Sequence, residues 1–146
     1  MREILFRGKC AETVKWYTGY YINLHKTTYC FKEDYDHFKD NDIHQIVFEK
    51  MTDWGLPNQH LRVDVIPETI GQYTGLTDKN DKKIFEGDIL KGMNGLYRVY
   101  FDISLACFEW AKINGNWTES FSGFADEYEI IGNIYDNPEL LKEREG

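Results

Sequence analysis

The sequence predicts a mainly β fold, a small barrel or sandwich of short strands. Three observations carry this. Short apolar and aromatic segments recur along the chain with turn signals between them. Ten Tyr, nine Phe and four Trp supply bulky apolar surface for a core. Twelve Gly against three Pro suit short strands joined by tight turns.

Taken in order, Arg2–Phe6 reads as a strand centred on Ile4, Leu5 and Phe6, with Gly8 permitting a turn. Thr13–Tyr17 is β-branched and aromatic without a helical period, so a second strand is expected there. Tyr20–Leu24 reads as its continuation or hairpin partner. Lys26–Gln59 mixes aromatic residues with Glu33, Asp34, Asp36, Asp40 and Asp42, and reads as a solvated loop or arm. Gln45–Lys50 is a possible strand inside it, and Asp53–Gln59, with Gly55 and Pro57, is turn-like. Arg62–Ile66 alternates polar and apolar residues, as a strand does. Thr69–Thr74 is the next strand. Asn80-Asp81, within the polar stretch Thr77–Lys82, is the expected hairpin tip. Lys83-Ile84-Phe85 and Glu86–Leu90 follow as a short apolar segment and a turn feeding a strand. Met93-Asn94-Gly95 is a turn, Leu96–Phe101 a half-buried strand and Ala106–Ile113 another, with Phe108 and Trp110 on one face. Asn114-Gly115-Asn116 closes a hairpin to Trp117. Glu129–Tyr135 is apolar at Ile130, Ile131 and Ile134. Asn137-Pro138-Glu139 has the chemistry of a helix start, predicting a short helix over Pro138–Glu143.

At 146 residues the chain fits one domain of ordinary size or two very small ones. Its formal net charge is −8, from 17 basic and 25 acidic side chains. The arginines are scattered at Arg2, Arg7, Arg62, Arg98 and Arg144, with no basic cluster to neutralise phosphates, so no nucleic-acid partner is expected. Three cysteines, Cys10, Cys30 and Cys107, are odd in number and widely spaced, which is no disulfide framework. No apolar run approaches the ~18–20 residues that cross a bilayer, and no apolar region of a secretory signal follows the first residues. The expectation is a cytoplasmic protein with no membrane partner.

Several of these segments match a family pattern. Arg2-Glu3-Ile4 with Phe6-Arg7, the block Ile70–Asn80, the block Ile84–Leu90 and the block Ile131–Leu141 resemble the opening, central and C-terminal signatures of the YopX family. The stretch from Tyr17 to Leu61 matches no part of that pattern and reads as its variable portion. Asp81 stands where the family usually carries Gly. The resemblance implies a phage or prophage origin and the cytoplasm of a host bacterium. It implies a single YopX-like domain over 1–146, with a variable insertion or arm at 25–60 and an SH3-like β-barrel portion at 61–136. No established biochemical activity comes with it.

The signature residues Gly75, Gly87, Asp88, Gly132, Asn133 and Pro138 read as structural. Gly87 permits a sharp approach to the strand beginning at Ile89, and Asp88 can accept nearby backbone N–H groups. Gly132 and Asn133 suggest a bulge or kink. His25, His37, His44 and His60 lie near Asp34, Asp36, Asp40 and Asp42, but their spacing fits no closed metal motif. The run Asp78–Lys82 fails as a calcium loop, since Lys82, Lys83 and Ile89 occupy the fifth, sixth and twelfth positions. Cys107 sits in an apolar strand, where a thiol is ordinarily inert. There is no nucleophile elbow, phosphate loop or dinucleotide fingerprint. No catalytic residue, metal or cofactor is expected.

The remaining candidates are the late aromatic residues Trp110, Trp117, Phe121 and Phe124, as a protein-binding surface. The leading expectation is a non-enzymatic phage accessory protein that forms homo-oligomers or binds a host or phage protein. The alternative is an acidic nucleic-acid mimic acting on host DNA-binding proteins, resting on the charge of −8 and the Asp-rich stretch Glu33–Asp42.

Overall fold

A computed structural model of the chain describes residues 1–37, 42–115, 118–120 and 125–142. The fold is mainly β, and the chain divides into two compact units, Leu5–Ile70 and Met1–Ile4 with Gly71–Gly146.

In the unit Leu5–Ile70, β1 (Phe6–Lys9), β2 (Trp16–His25), β3 (Asp42–Lys50) and β4 (Gln59–Asp64) form an antiparallel sheet in the order β4-β3-β2-β1. The first strand begins at Phe6 rather than Arg2. Ile4 is exposed, whereas Gly8, expected at a turn, is buried inside the strand. A Cβ on Gly8 would lie 2.9 Å from the Val65 side chain, so only glycine fits. The turn comes later, where the Val14 N–H donates to the Cys10 carbonyl and the Cys10 N–H to that of Lys15. Thr13–Tyr17 and Tyr20–Leu24 contribute to one continuous strand, β2, through Gly19. There a Cβ would sit 2.0 Å from the Val47 carbonyl oxygen.

The stretch 25–60, expected as a loop or arm with a strand at Gln45–Lys50 inside it, holds that strand as β3, longer than expected and paired on both sides, with Ile46 fully buried. Among the described residues, Lys32, Glu33, Asp34 and Asp36 lie on the solvated α1 (Lys32–His37), Asp42 is half-buried at one end of β3, and Glu49 and Lys50 are exposed at the other. Past β4, Val65 bridges Cys10 and the Ile66 N–H donates to the Lys9 carbonyl at 2.9 Å, so the first and last strands meet at one end. The Thr69 hydroxyl stitches this end. It accepts the Lys9 N–H at 2.9 Å and donates to the Ile66 carbonyl at 2.6 Å.

In the second unit, β5 (Gly71–Thr77) and β6 (Lys83–Phe85) form a hairpin. β7 (Asp88–Gly92), β8 (Gly95–Asp102), β9 (Cys107–Lys112), β10 (Thr118–Ser120) and β11 (Glu129–Asn133) form an antiparallel sheet in the order β10-β9-β8-β7-β11. Its core is Ile84, Leu90, Tyr97, Val99, Trp110 and Ala125.

Two sequence expectations are corrected here. The SH3-like barrel at 61–136 is not formed as a closed barrel: among the described residues β10 and β11 pair only with β9 and β7, leaving the sheet open. β10 spans three residues and β11 carries a register shift between Ile130 and Gly132, so neither offers a long regular edge for closure. Gln59–Asp64, moreover, pairs with β3 in the other unit. The expected C-terminal helix is a single 3-10 turn, Pro138–Leu141. The Asn137 side chain makes no helix cap, because its Oδ1 accepts the Asn133 N–H at 3.3 Å.

Candidate functional site

The signature residues work as internal staples of the second unit. Asp88 is 1% exposed, and its Oδ2 accepts the Phe85 N–H at 2.8 Å. Gly87 has φ +91°, and a Cβ there would lie 3.1 Å from the Tyr135 ring. Its N–H donates to the Val99 carbonyl and its carbonyl accepts the Ile134 N–H, each at 2.9 Å, joining β8 to the segment after β11. Gly75, φ +91°, lies at the register shift in β5. Asn133 Oδ1 accepts the N–H groups of Tyr135 and Asp136 at 3.0 and 2.9 Å, closing the turn before Pro138. A Cβ on Gly132 would collide with the Asn137 carboxamide.

Sequence reasoning missed one member of this set. Asp78 is 3% exposed and accepts three backbone N–H groups: Asn80 and Lys82 at 2.9 Å on Oδ1, and Ile130 at 3.0 Å on Oδ2. Burial pushes its pKa up, but these N–H donors, led by Ile130, outweigh that and hold the carboxyl below its ordinary value. The clue lay in the polar turn preceding Asn80-Asp81, where a short carboxylate serves N–H groups two and four residues on.

The histidines face polar partners one by one. His25 Nδ1 meets Asp42 Oδ1 at 2.5 Å, Tyr21 Oη meets His44 Nδ1 at 2.6 Å, and His60 lies 3.5 Å from Glu49. Burial, then the Asp42 charge, raises the Tyr21 pKa, so its hydroxyl stays protonated. Among the described residues no three His, Cys, Asp or Glu side chains are grouped to hold a metal. Burial, then the charges of Glu109 and Asp102, raises the Cys107 pKa, away from thiolate nucleophile chemistry. Beside the His25–Asp42 pair, a cavity of about 490 Å³ is lined by Tyr29, Phe31, Tyr35 and Asp36 among others. Tyr35 meets the rings of Tyr29 and His25 edge to face at 5.1 and 5.4 Å.

Of the aromatic candidates, Trp110 is 2% exposed, with its ring 4.4 Å from Tyr128 and 6.0 Å from Tyr97. In this fold it is core and not surface. Trp117, Phe121 and Phe124 lie outside the described residues. The exposed apolar side chains are elsewhere. The β3–β4 turn presents Trp54, 97% exposed, with Met51 and Leu56 beside it. The β8–β9 turn presents Ile103 and Leu105, next to the Phe101–Phe108 ring pair. In the second unit a groove of about 550 Å³ is lined by Leu96, Ile113, Ile131 and Leu140 together with Lys91 and Lys142, among others.

A family model described as YopX protein matches residues 5–142. The chain belongs to the YopX protein family. The YopX match runs through both compact units and includes β3 and β4, which the sequence signatures left unassigned. No curated protein matches the chain. Among solved structures, it is similar to the crystal structure of protein EF1440 from Enterococcus faecalis. That likeness has 23% identity and a TM-score of 0.49, and covers 97% of this chain and 100% of that one. Among the described residues of this YopX protein, no helix is long and apolar enough to cross a membrane.

Proposed function

We propose that this YopX-family chain is a non-enzymatic phage or prophage accessory protein that works in the host bacterial cytoplasm by binding protein, either a host or phage partner or further copies of itself. The phage setting rests on the family resemblance. The binding role rests on one observation, the β3–β4 turn that holds Trp54 in water with Met51 and Leu56 beside it. A tryptophan left this exposed loses favourable burial, and exposed apolar clusters on soluble proteins commonly mark contact sites. The turn is ordered: the Trp54 N–H donates to Asp53 Oδ1 at 2.8 Å, the Leu56 N–H to the Asp53 carbonyl at 3.1 Å, and Thr52 Oγ1 to the Pro57 carbonyl at 3.0 Å. A preordered tip keeps the entropy cost of docking low. The non-enzymatic reading is supported by the buried carboxylates, since Asp78 and Asp88 accept backbone N–H groups and Glu109 accepts the Tyr100 hydroxyl at 2.8 Å.

The test compares wild type with Trp54→Ala in affinity capture and in light scattering across a concentration series. A stoichiometric partner, or a discrete oligomer, that is lost in Trp54→Ala supports the reading. A monomer that captures nothing in a Trp54-dependent way refutes it. Capture that survives Trp54→Ala but is abolished by changing Asp34, Asp36, Asp40 and Asp42 to Asn favours the acidic mimic instead.

A further inference from the structure

The exposed tip and the apolar groove are complementary features carried by the same chain. The tip offers an indole, a leucine and a methionine, with Asp53 adjacent to the indole in sequence. The groove offers Leu96, Ile113, Ile131 and Leu140, and two lysines, Lys91 and Lys142, also line it. Its volume, about 550 Å³, falls in the range of pockets that accept large side chains (~300–1,000 Å³). Glu139 also lines it, leaving two positive groups against one negative. Lys91 and Lys142 are exposed and can reach an incoming carboxylate.

From this match we propose that the partner is a second copy of the chain, and that the Trp54 tip of one copy seats in the Leu96–Ile113–Ile131–Leu140 groove of the next, with Asp53 facing Lys91 and Lys142. This rests on the protein-binding reading above and deepens it. The tip and the groove are different surfaces, so each copy carries both halves of the contact. Exchanged reciprocally between two copies it closes a two-fold dimer, and passed from copy to copy it closes a ring or grows a filament. The net charge of −8 acts against self-association at long range. A contact that sets Asp53 against Lys91 and Lys142 offsets this locally.

The experiment is complementation between two defective full-length variants. Trp54→Ala keeps the groove and loses the tip. Leu140→Glu keeps the tip and closes the groove, at a half-buried position in the terminal 3-10 turn. Each alone is expected to weaken association at least about 30-fold, as loss of an interface anchor does. Mixed, they should form a one-to-one heterodimer and nothing larger, because one tip–groove contact is then possible and no further growth is. Lys91→Glu with Lys142→Glu is a second groove variant that leaves the apolar packing intact. It serves if thermal melting shows Leu140→Glu unfolded. A mixture that stays monomeric overturns the proposal. A wild-type oligomer unaffected by every variant overturns the tip–groove contact and leaves self-association standing. A wild-type monomer that captures another protein through Trp54 overturns it and leaves protein binding standing.

Discussion

Removing the Asp78 carboxylate is expected to be among the costliest single changes in the second unit. Asp78→Ala deletes an acceptor serving three backbone N–H groups, on Asn80, Lys82 and Ile130. The Asn80 and Lys82 groups lie in an exposed turn and can recover water. The Ile130 N–H belongs to β11 and packs beside the core, so it loses its partner outright. A hydrogen bond to a charged acceptor contributes ~1.5–3 kcal/mol, and a stranded buried donor costs a further ~1–3 kcal/mol. The sum, allowing for rehydration of the turn, is about 3–4 kcal/mol. For a unit of ~60–100 residues each kcal/mol moves Tm by ~4–8 °C, so a fall of at least about 12 °C is expected. The charge adds a pH signature. The folded carboxyl titrates below its ordinary value, so its stabilisation is fully present above the unfolded pKa and is lost as pH falls through the folded one. The gap between wild type and Asp78→Ala should therefore be widest near neutrality and narrow below about pH 4. Calorimetry or circular dichroism melts at neutral and acid pH measure both. A variant within ~1 kcal/mol of wild type at neutral pH, or a gap as wide in acid as at neutrality, would refute the capping argument.

Three further outcomes are expected. Gly87→Ala, forced to φ +91° with its Cβ against the Tyr135 ring, should cost about 1–3 kcal/mol in a denaturant titration. Asp81→Gly should stabilise by about 0.5 kcal/mol. Asp81 holds φ 62° at the hairpin tip, and relief of that strain exceeds the added backbone entropy of glycine. Tyr100→Phe removes the hydroxyl that donates to the buried Glu109 carboxylate, and should lower stability by ~1–3 kcal/mol, with Glu109→Gln recovering part of it.

Turn chemistry was legible in the sequence because it is local. Asn80-Asp81 forms a hairpin tip, with Asp81 at positive φ, because its short polar side chain tolerates that backbone. Met93-Asn94 closes the β7–β8 hairpin, with Gly92 opposite Gly95. Period-two alternation placed Arg62 and Asp64 on the solvated side of β4 and put Phe108 and Trp110 on one face of β9. The family signatures, too, are clusters of such turn residues, which is why Gly87, Asp88, Gly132 and Asn133 read as structural.

What lies between turns was decided by tertiary pairing. β3 sits in a charged stretch, and only its two neighbours, β2 and β4, turn Asp42–Lys50 into the middle of a sheet. Gly8 and Gly19 looked like punctuation; they are places where a Cβ would strike Val65 or the Val47 carbonyl, contacts that exist only once distant strands meet. Exposure reversed for the tryptophans in the same way. Trp110 is covered because Tyr97 and Tyr128 pack on it, and Trp54 is bare because its turn projects past the sheet. Where the chain turns and which face of each strand is apolar could be read locally, since sterics within a few residues set both. Which strands pair, which glycines are crowded and which aromatic rings remain in water depended on long-range contacts, because burial belongs to the contacts between segments and not to any segment alone.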